Sequence, residues 1–417
     1  MEKITIQGRK KIGGKVTIGG AKNAALPLMA ATLLTEGWNT LANVPSLRDI
    51  KTAQALLRHL GVDVRDGDEL LINAAGLNES TAPYELVKTM RASVLVLGPL
   101  LARLKRIKVS LPGGCAIGDR PVDMHLKGLE LMGAKVEIKH GYINAQTRGL
   151  KGAEIFFDVS TVTGTENLMM AASLAKGTTV LNNAAQEPEV VELAEVLKKM
   201  GAHIEGAGSE IIVVEGVQTL NPVMHQIMPD RIEAGTYMIA GALAGGRLEI
   251  SPCVPSHLGA LLQKFEEARI KVDVEKDRIT VKGDNTIKSV NITTLPFPGF
   301  PTDMQAQFMV LMSIAEGTSV ITESVFENRF MHVGELQRMG ANIKVSGNTA
   351  IVKGVKYLSG ASVMATDLRA SASLVLAGLV AKGTTEVSRI YHIDRGYESI
   401  ERKMQSLGAA IERVKDN

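Results

Sequence analysis

The chain is poor in cysteine, in aromatic side chains and in net charge, and each shortage removes a class of function. Its 417 residues include Cys 2, with no CxxC spacing, so neither a disulfide framework nor a cysteine-built zinc site is open to it. Aromatic residues make up 4%, too few for the stacking platforms of single-strand nucleic-acid binders. A formal net charge of +3 over this length leaves no footprint for nucleic acid or an anionic membrane surface. The opening stretch MEKITIQGRKKIGGK is charged and alternating and lacks the apolar segment of a secretory signal. The longest apolar stretches, such as ASVLVLGPLLA, fall short of the roughly 20 residues that span a bilayer. Neither a GxxxxGK[ST] loop nor a strand-linked GxGxxG is present, which excludes those two nucleotide sites. These absences predict a protein of a reducing, cytoplasmic compartment, without nucleic-acid, membrane or obligate protein partners.

What the chain has in plenty is repetition. Six segments share one phrase: LLRHLGVDV, LELMGAKVEI, VLKKMGAHIEG, FEEARIKVDV, LQRMGANIKV and MQSLGAAIERV. The matching position moves through Gly61, Gly133, Gly201, Arg269, Gly340 and Gly408, at intervals of about 70 residues. Each phrase predicts an amphipathic helix ending in a left-handed turn, then an alternating strand and usually a hairpin partner such as EIIVVEGV. A second phrase recurs beside the first, among its versions LPLMAATLLTEG, YMIAGALAGGRL and SLVLAGLVAKGTTEV. Those helices are apolar nearly all round and must be buried on every side. A chain this long exceeds one hydrophobic core. The preferred assembly is therefore α/β, with two domains of three units each, buried helices central and sheets outside. Boundaries at IGGAKNAAL and MPDRIEAGTY predict a first domain over 20–229 and a second from 1–19 plus 230–417, with a cleft between them.

Basic residues occupy unlikely places. Lys22 in GGAKNAALP and Arg91 in KTMRASVLVLG stand at helix starts, where the helix dipole disfavours a cation, and Arg369 lies in TDLRASASLVL. Arg120 follows the glycine-rich cysteine loop SLPGGCAIGDRP, Arg329 sits in FENRFMH and Arg395 in HIDRGYES. Any one alone reads equally well as surface charge. As a set they predict a cationic cleft for an anionic, phosphate-bearing small molecule, because helix N-termini with Arg or Lys make anion pockets. Asp303 in FPTDMQAQF reads as a helix cap or as a base. Asp367 and Asp394, each close to an arginine, read as orienting partners. His125 in PVDMHLKG is a candidate base, though a structural role suits a lone histidine better, and Cys253 reads as a packing residue.

The segments GGAKNAALP, KTMRAS, LPGGCAIGDRPVDMH, FPTDMQAQF, ENRFMH, MATDLRASASLVLAG and RIYHIDRGYE, spread in order over both halves, together resemble the UDP-N-acetylglucosamine 1-carboxyvinyltransferase family of enolpyruvyl transferases. The similarity runs from the first strand to the last helix. It implies two inside-out α/β barrels with the active site in the cleft. It implies transfer of the enolpyruvyl group of phosphoenolpyruvate to the 3′-hydroxyl of UDP-N-acetylglucosamine, with release of phosphate, as the first committed step of peptidoglycan synthesis. No metal and no cofactor are implied.

Carried over residue by residue, the resemblance gives the donor phosphate to Lys22, Arg120 and Arg395, and the rest of the donor pocket to Arg369 and Asn23. Arg91, the run Arg120, Pro121, Val122, Asp123 and Met124, and also Val325 are expected to contact the nucleotide sugar. Arg329 belongs to the same substrate-binding set. Asp303 is expected to take the proton from the sugar hydroxyl, and Cys115 to give one to the methylene carbon as general acid. The segment Ser160, Thr161, Val162, Thr163 departs from the lysine-containing version of part of the family. Arg120 favours the thiolate of Cys115, so the same residue is expected to be a nucleophile in the empty site, open to fosfomycin or a phosphoenolpyruvate adduct, and an acid in the filled one. Two alternatives compete: an enolpyruvyl transferase of the 5-enolpyruvylshikimate-3-phosphate synthase type, which lacks this cysteine loop, and a non-catalytic nucleotide-sugar sensor, which has no need of acid and base together.

Overall fold

Five of the six recurring turn positions are glycines with positive φ: +88° at Gly61, +90° at Gly133, +110° at Gly201, +88° at Gly340 and +95° at Gly408. Arg269 takes the same left-handed backbone at +62°, a conformation that glycine adopts freely and a residue with a Cβ does not. These turns follow the amphipathic helices Arg48–His59, Asp123–Leu131, Pro188–Met200, Gly259–Glu267, Val333–Arg338 and Ile400–Ser406. The second phrase forms the helices Lys22–Ala31, Leu97–Leu104, Val162–Ala172, Arg231–Ala244, Gln305–Ser313 and Leu368–Val380. In the last of these every residue from Arg369 to Leu379 is buried, as an all-round apolar surface requires.

A computed structural model describes residues 2–88, 90–111, 122–283 and 286–415. They divide into two compact units, one from Gly20 to Met228 and one joining the segment up to Gly19 to that from Pro229 onward. Each unit has its own hydrophobic core and three four-stranded sheets. One sheet shows the pattern common to all six. Thr81–Ala82 pairs in parallel with Arg106–Ser110, which pairs antiparallel with Tyr142–Gln146, and that strand pairs antiparallel with Lys135–Lys139. In chain order this is strand, buried helix, strand, amphipathic helix and hairpin, a βαβαββ unit. In the unit from Pro229 onward the helices Arg231–Ala244, Gln305–Ser313 and Leu368–Val380 pack on one another, with the sheets outside them.

The first residues complete that same unit. Glu2–Gln7 lies antiparallel between Thr384–Ser388 and Ala410–Lys415, and Gly14–Thr17 pairs in parallel with Arg247–Ser251. The other unit closes on itself: Met224–Gln226, near its end, pairs in parallel with Trp38–Ala42 near its start.

One carboxyl is enclosed in that unit's core. Glu166, in the middle of Val162–Ala172, is 1% exposed, and its Oε1 has no hydrogen-bond partner among the described residues. Burial first, then the Glu189 and Glu187 carboxylates, push its pKa well above the usual carboxyl value. A raised carboxyl pKa contributes stability that is complete below the unfolded value and is lost as pH rises through the folded one. Glu166→Gln, neutral at every pH, is therefore expected to melt higher than the parent at about pH 8 and to lose that advantage near the unfolded carboxyl pKa of about 4. Thermal unfolding across that range checks this, and a parallel pair of curves would contradict it.

Candidate functional site

The turn Thr302–Met304 leads directly into the buried helix Gln305–Ser313 and carries Asp303. Pro301, not Asp303, occupies the cap position. The Asp303 carboxylate instead accepts from Arg329 Nη2 at 2.8 Å on Oδ1 and from Arg369 Nε at 3.0 Å on Oδ2. The two arginine side chains are 4% and 3% exposed, and that of Asp303 is 25% exposed. Guanidinium groups taken so far out of water need a counter-charge. Burial opposes the charge on Arg369, and Asp303 beside it more than restores it, so its pKa lies above the ordinary arginine value.

Arg369 owes its position to the start of Leu368–Val380. Asp367 caps that helix, its carboxylate accepting from the backbone N–H groups of Arg369 and Ala370 at 2.9 and 3.0 Å. Asp367 thus orients Arg369 through the backbone rather than by pairing with its guanidinium. The guanidinium carbon lies 5.3 Å from the centre of the Tyr397 ring, and the Tyr397 hydroxyl is fixed by Thr236 Oγ1 at 2.9 Å and Gln307 Nε2 at 3.2 Å. Arg369 Nη1 is buried and has no hydrogen-bond partner among the described residues. A buried donor left unsatisfied is costly, so this nitrogen calls for an acceptor beyond the described residues.

Arg395 ends the turn Ile390–Arg395 and is half-buried. Asp394, expected to orient its neighbour, is gripped by Arg413 of the C-terminal strand, at 3.1 Å from Nη1 and 2.6 Å from Nη2. Val325, exposed, lies in the loop that runs on to Arg329. In the unit from Gly20 to Met228, Lys22 is buried at the start of Lys22–Ala31, and its Nζ lies 3.3 Å from Oδ2 of the buried Asp49. Gly20 allows that start: a Cβ there would lie 1.8 Å from the Asn43 carbonyl oxygen, an approach only glycine tolerates. Asn23 is exposed beside Lys22. Arg91 opens the turn Arg91–Val96, which packs on the Lys22 helix. Asp123 is exposed and Val122 and Met124 are half-buried at the start of Asp123–Leu131. Cys115, Arg120 and Pro121 lie outside the described residues.

His125, a candidate base, and Cys253, read as packing, both have structural surroundings. His125 is buried, with Nδ1 at 2.9 Å from the Asn167 amide nitrogen and Nε2 at 3.4 Å from Thr163 Oγ1. The amide donates to Nδ1, which places the ring proton on Nε2, and burial pushes the pKa down to about 4. Cys253 is buried, and burial, then Asp277, push its thiol up to about 11, so it reads as packing. Thr161 has a helix-capping role, its hydroxyl accepting from Gly164 N–H at 3.3 Å.

Nothing in the sequence pattern sets Asp49, Tyr397 or Arg413 apart. Asp49 looks like any acid in the first turn of an amphipathic helix, and Arg413 like a strand-end surface charge. Tyr397 lies two residues past Arg395, inside a segment already of interest, and that proximity was the available signal. The ammonium of Lys22 in one unit, and the guanidiniums of Arg329, Arg369 and Arg395 in the other, are each groups that suit anions. Among the described residues no three His, Cys, Asp or Glu side chains are placed to hold a metal ion.

The family model of EPSP synthase (3-phosphoshikimate 1-carboxyvinyltransferase) matches residues 6–404. Curated relatives include the UDP-N-acetylglucosamine 1-carboxyvinyltransferase of Desulfatibacillum aliphaticivorans, 60% identical over 100% of both chains. Another of the same name, from Geotalea uraniireducens (strain Rf4), is 58% identical, again over 100% of both. Among solved structures, the enolpyruvyl transferase NikO from Streptomyces tendae matches with a TM-score of 0.90 at 25% identity, covering 100% of this chain and 99% of that one. EPSP synthase from Acinetobacter baumannii matches with a TM-score of 0.80 at 19% identity and 100% coverage of both, a likeness of fold alone.

Proposed function

Because the chain belongs to the EPSP synthase (3-phosphoshikimate 1-carboxyvinyltransferase) family, we propose that it is the member of that family acting on UDP-N-acetylglucosamine. It transfers the enolpyruvyl group of phosphoenolpyruvate to the 3′-hydroxyl of the sugar and releases phosphate, the first committed step of peptidoglycan synthesis. Full-length identity of 60% and 58% to relatives of that name supports this acceptor over shikimate 3-phosphate. The observation that carries the chemistry is the Asp303 carboxylate held at 2.8 and 3.0 Å by two buried guanidiniums, one of them with a buried nitrogen that no described residue pairs.

Lys22, Arg120 and Arg395 take the donor phosphate, and Arg369 with Asn23 completes the donor pocket. Arg91, the segment from Arg120 to Met124, Val325 and Arg329 meet the nucleotide sugar. Asp303 removes the proton of the 3′-hydroxyl as the sugar oxygen bonds to C2 of phosphoenolpyruvate. Cys115 protonates C3, turning the methylene into a methyl group. The C2–O bond to phosphate then breaks, and a proton leaves the methyl group to restore the double bond. A donor anion seated on Arg369 draws part of that charge away from Asp303 and so raises its basicity. The base is thereby readied only when the donor is in place. The set needs neither metal nor cofactor and suits a cytoplasmic enzyme. Among the described residues no helix is long and apolar enough to cross a membrane.

Phosphate release tests the acceptor. Adding phosphoenolpyruvate with UDP-N-acetylglucosamine is expected to liberate phosphate, and shikimate 3-phosphate in its place to give none. Release with shikimate 3-phosphate alone would reverse the assignment, and nucleotide-sugar binding without any release would leave a sensor.

A further inference from the structure

Glu323 lies outside every site residue named above, yet it binds together the two segments that carry the acceptor side. It is 2% exposed, and its carboxylate accepts four hydrogen bonds. Oε1 takes the Thr294 hydroxyl at 2.8 Å and the backbone N–H groups of Val325 and Phe326 at 2.9 and 3.1 Å. Oε2 takes the Thr302 hydroxyl at 2.8 Å. The Glu323 N–H itself donates to the Asn348 carbonyl at 2.8 Å, which anchors the residue from behind.

Thr302 is the residue before Asp303, in the same short turn. Val325 and Arg329 share the loop that follows Glu323, and Arg329 closes back on Asp303 at 2.8 Å. The turn and the loop are therefore joined twice, once through Glu323 and once through the Arg329–Asp303 pair. A buried carboxylate persists only where donors replace its water, and charge-assisted bonds of this kind hold geometry well. The backbone donors of Val325 and Phe326 cannot reverse direction, so an acceptor is required at Oε1. The Thr302 hydroxyl can turn, so the link to the Asp303 turn is the adjustable one.

We propose that Glu323 is a positioning residue for the acceptor side, fixing the Asp303 turn against the Val325 loop and so setting where the base meets the sugar hydroxyl. This rests on the reading of Asp303 as base and Val325 as a nucleotide-sugar contact. Donor contacts come from Lys22, Arg369 and Arg395 on other elements, so the effect falls mainly on one substrate.

Two mild variants test it. Thr302→Val keeps the shape of the turn and removes only the hydroxyl. Glu323→Gln keeps an oxygen toward the backbone donors and removes the charge. Both are assayed by steady-state kinetics against each substrate in turn, with thermal unfolding alongside. Each is expected to lower kcat and raise the KM for UDP-N-acetylglucosamine, with kcat/KM for that substrate down roughly 10- to 100-fold. The KM for phosphoenolpyruvate is expected to stay within about twofold. A purely structural role would lower kcat through loss of folded protein and leave both KM values unmoved, and that result overturns the proposal. So does a Thr302→Val variant with unchanged kinetics, or an equal rise in both KM values. The parent is measured first: no turnover with UDP-N-acetylglucosamine overturns both this inference and the functional reading beneath it, whereas parental turnover with unmoved variants overturns this inference alone.

Discussion

Asp303→Asn is expected to lower turnover by roughly 10²- to 10⁴-fold, the usual worth of a positioned general base. The amide is nearly the same shape, so the turn Thr302–Met304 can form as before, but an amide cannot take the proton of the 3′-hydroxyl. Nucleotide-sugar binding is expected to change far less than turnover, because the proton transfer matters only in the transition state. The same substitution leaves Arg329 and Arg369 without the carboxylate that each now meets at 2.8 and 3.0 Å. Stability is therefore expected to fall by on the order of a few kcal/mol, and phosphoenolpyruvate is expected to restore more of it than in the parent, since its anionic groups replace the lost counter-charge. Single-turnover kinetics and thermal unfolding with and without the donor measure both effects. Near-parental turnover would remove Asp303 from the role of base.

Cys115→Ser is expected to reduce turnover near neutral pH by a similar 10²- to 10⁴-fold. A serine hydroxyl is a far weaker acid than a thiol and cannot serve the methylene carbon at that pH. The setting of Cys115 argues for its reactivity: Gly113 and Gly114 precede it and Arg120 follows within five residues, so backbone freedom and a cation attend one thiol. On the proposed mechanism the cation is expected to favour the thiolate in the empty enzyme, and a bound doubly anionic donor to return the proton. A small neutral alkylating reagent is thus expected to modify Cys115 quickly in the free enzyme and slowly once phosphoenolpyruvate is present. Cys253, buried and pushed up to about 11, is expected to stay unmodified. Peptide mass spectrometry separates the two, and preferential labelling of Cys253, or a fully active Cys115→Ser variant, would contradict the acid role.

The parts of this molecule that could be read without coordinates are those encoded locally. A left-handed turn favours glycine whatever surrounds it, so the six repeats stand out, and even Arg269 keeps the backbone of its glycine counterparts. A helix apolar on all sides has only one stable place, so the central helices were equally legible. Choice of ionic partner is a different matter, because it is settled by elements far apart in the chain. Asp367 looked like a side-chain partner for Arg369 and proved to hold its backbone. Asp394 looked like a partner for Arg395 and is gripped by Arg413 on the last strand. Asp303 could be read as cap or base, and only the approach of Arg329 and Arg369 distinguishes a charged centre from a helix start. Glu323 gave no signal at all, since its four donors converge from three separate segments.

Turnover in deuterated water, followed by NMR of the product, tests the central claim most directly. Protonation of the methylene carbon and later loss of a proton from the same carbon must exchange hydrogen with solvent if Cys115 and Asp303 act as described. The expected product is UDP-N-acetylglucosamine carrying an enol ether at its 3′-oxygen, with deuterium in the vinyl group. Phosphate released alongside free pyruvate, or an enol ether formed with no deuterium, would contradict the account.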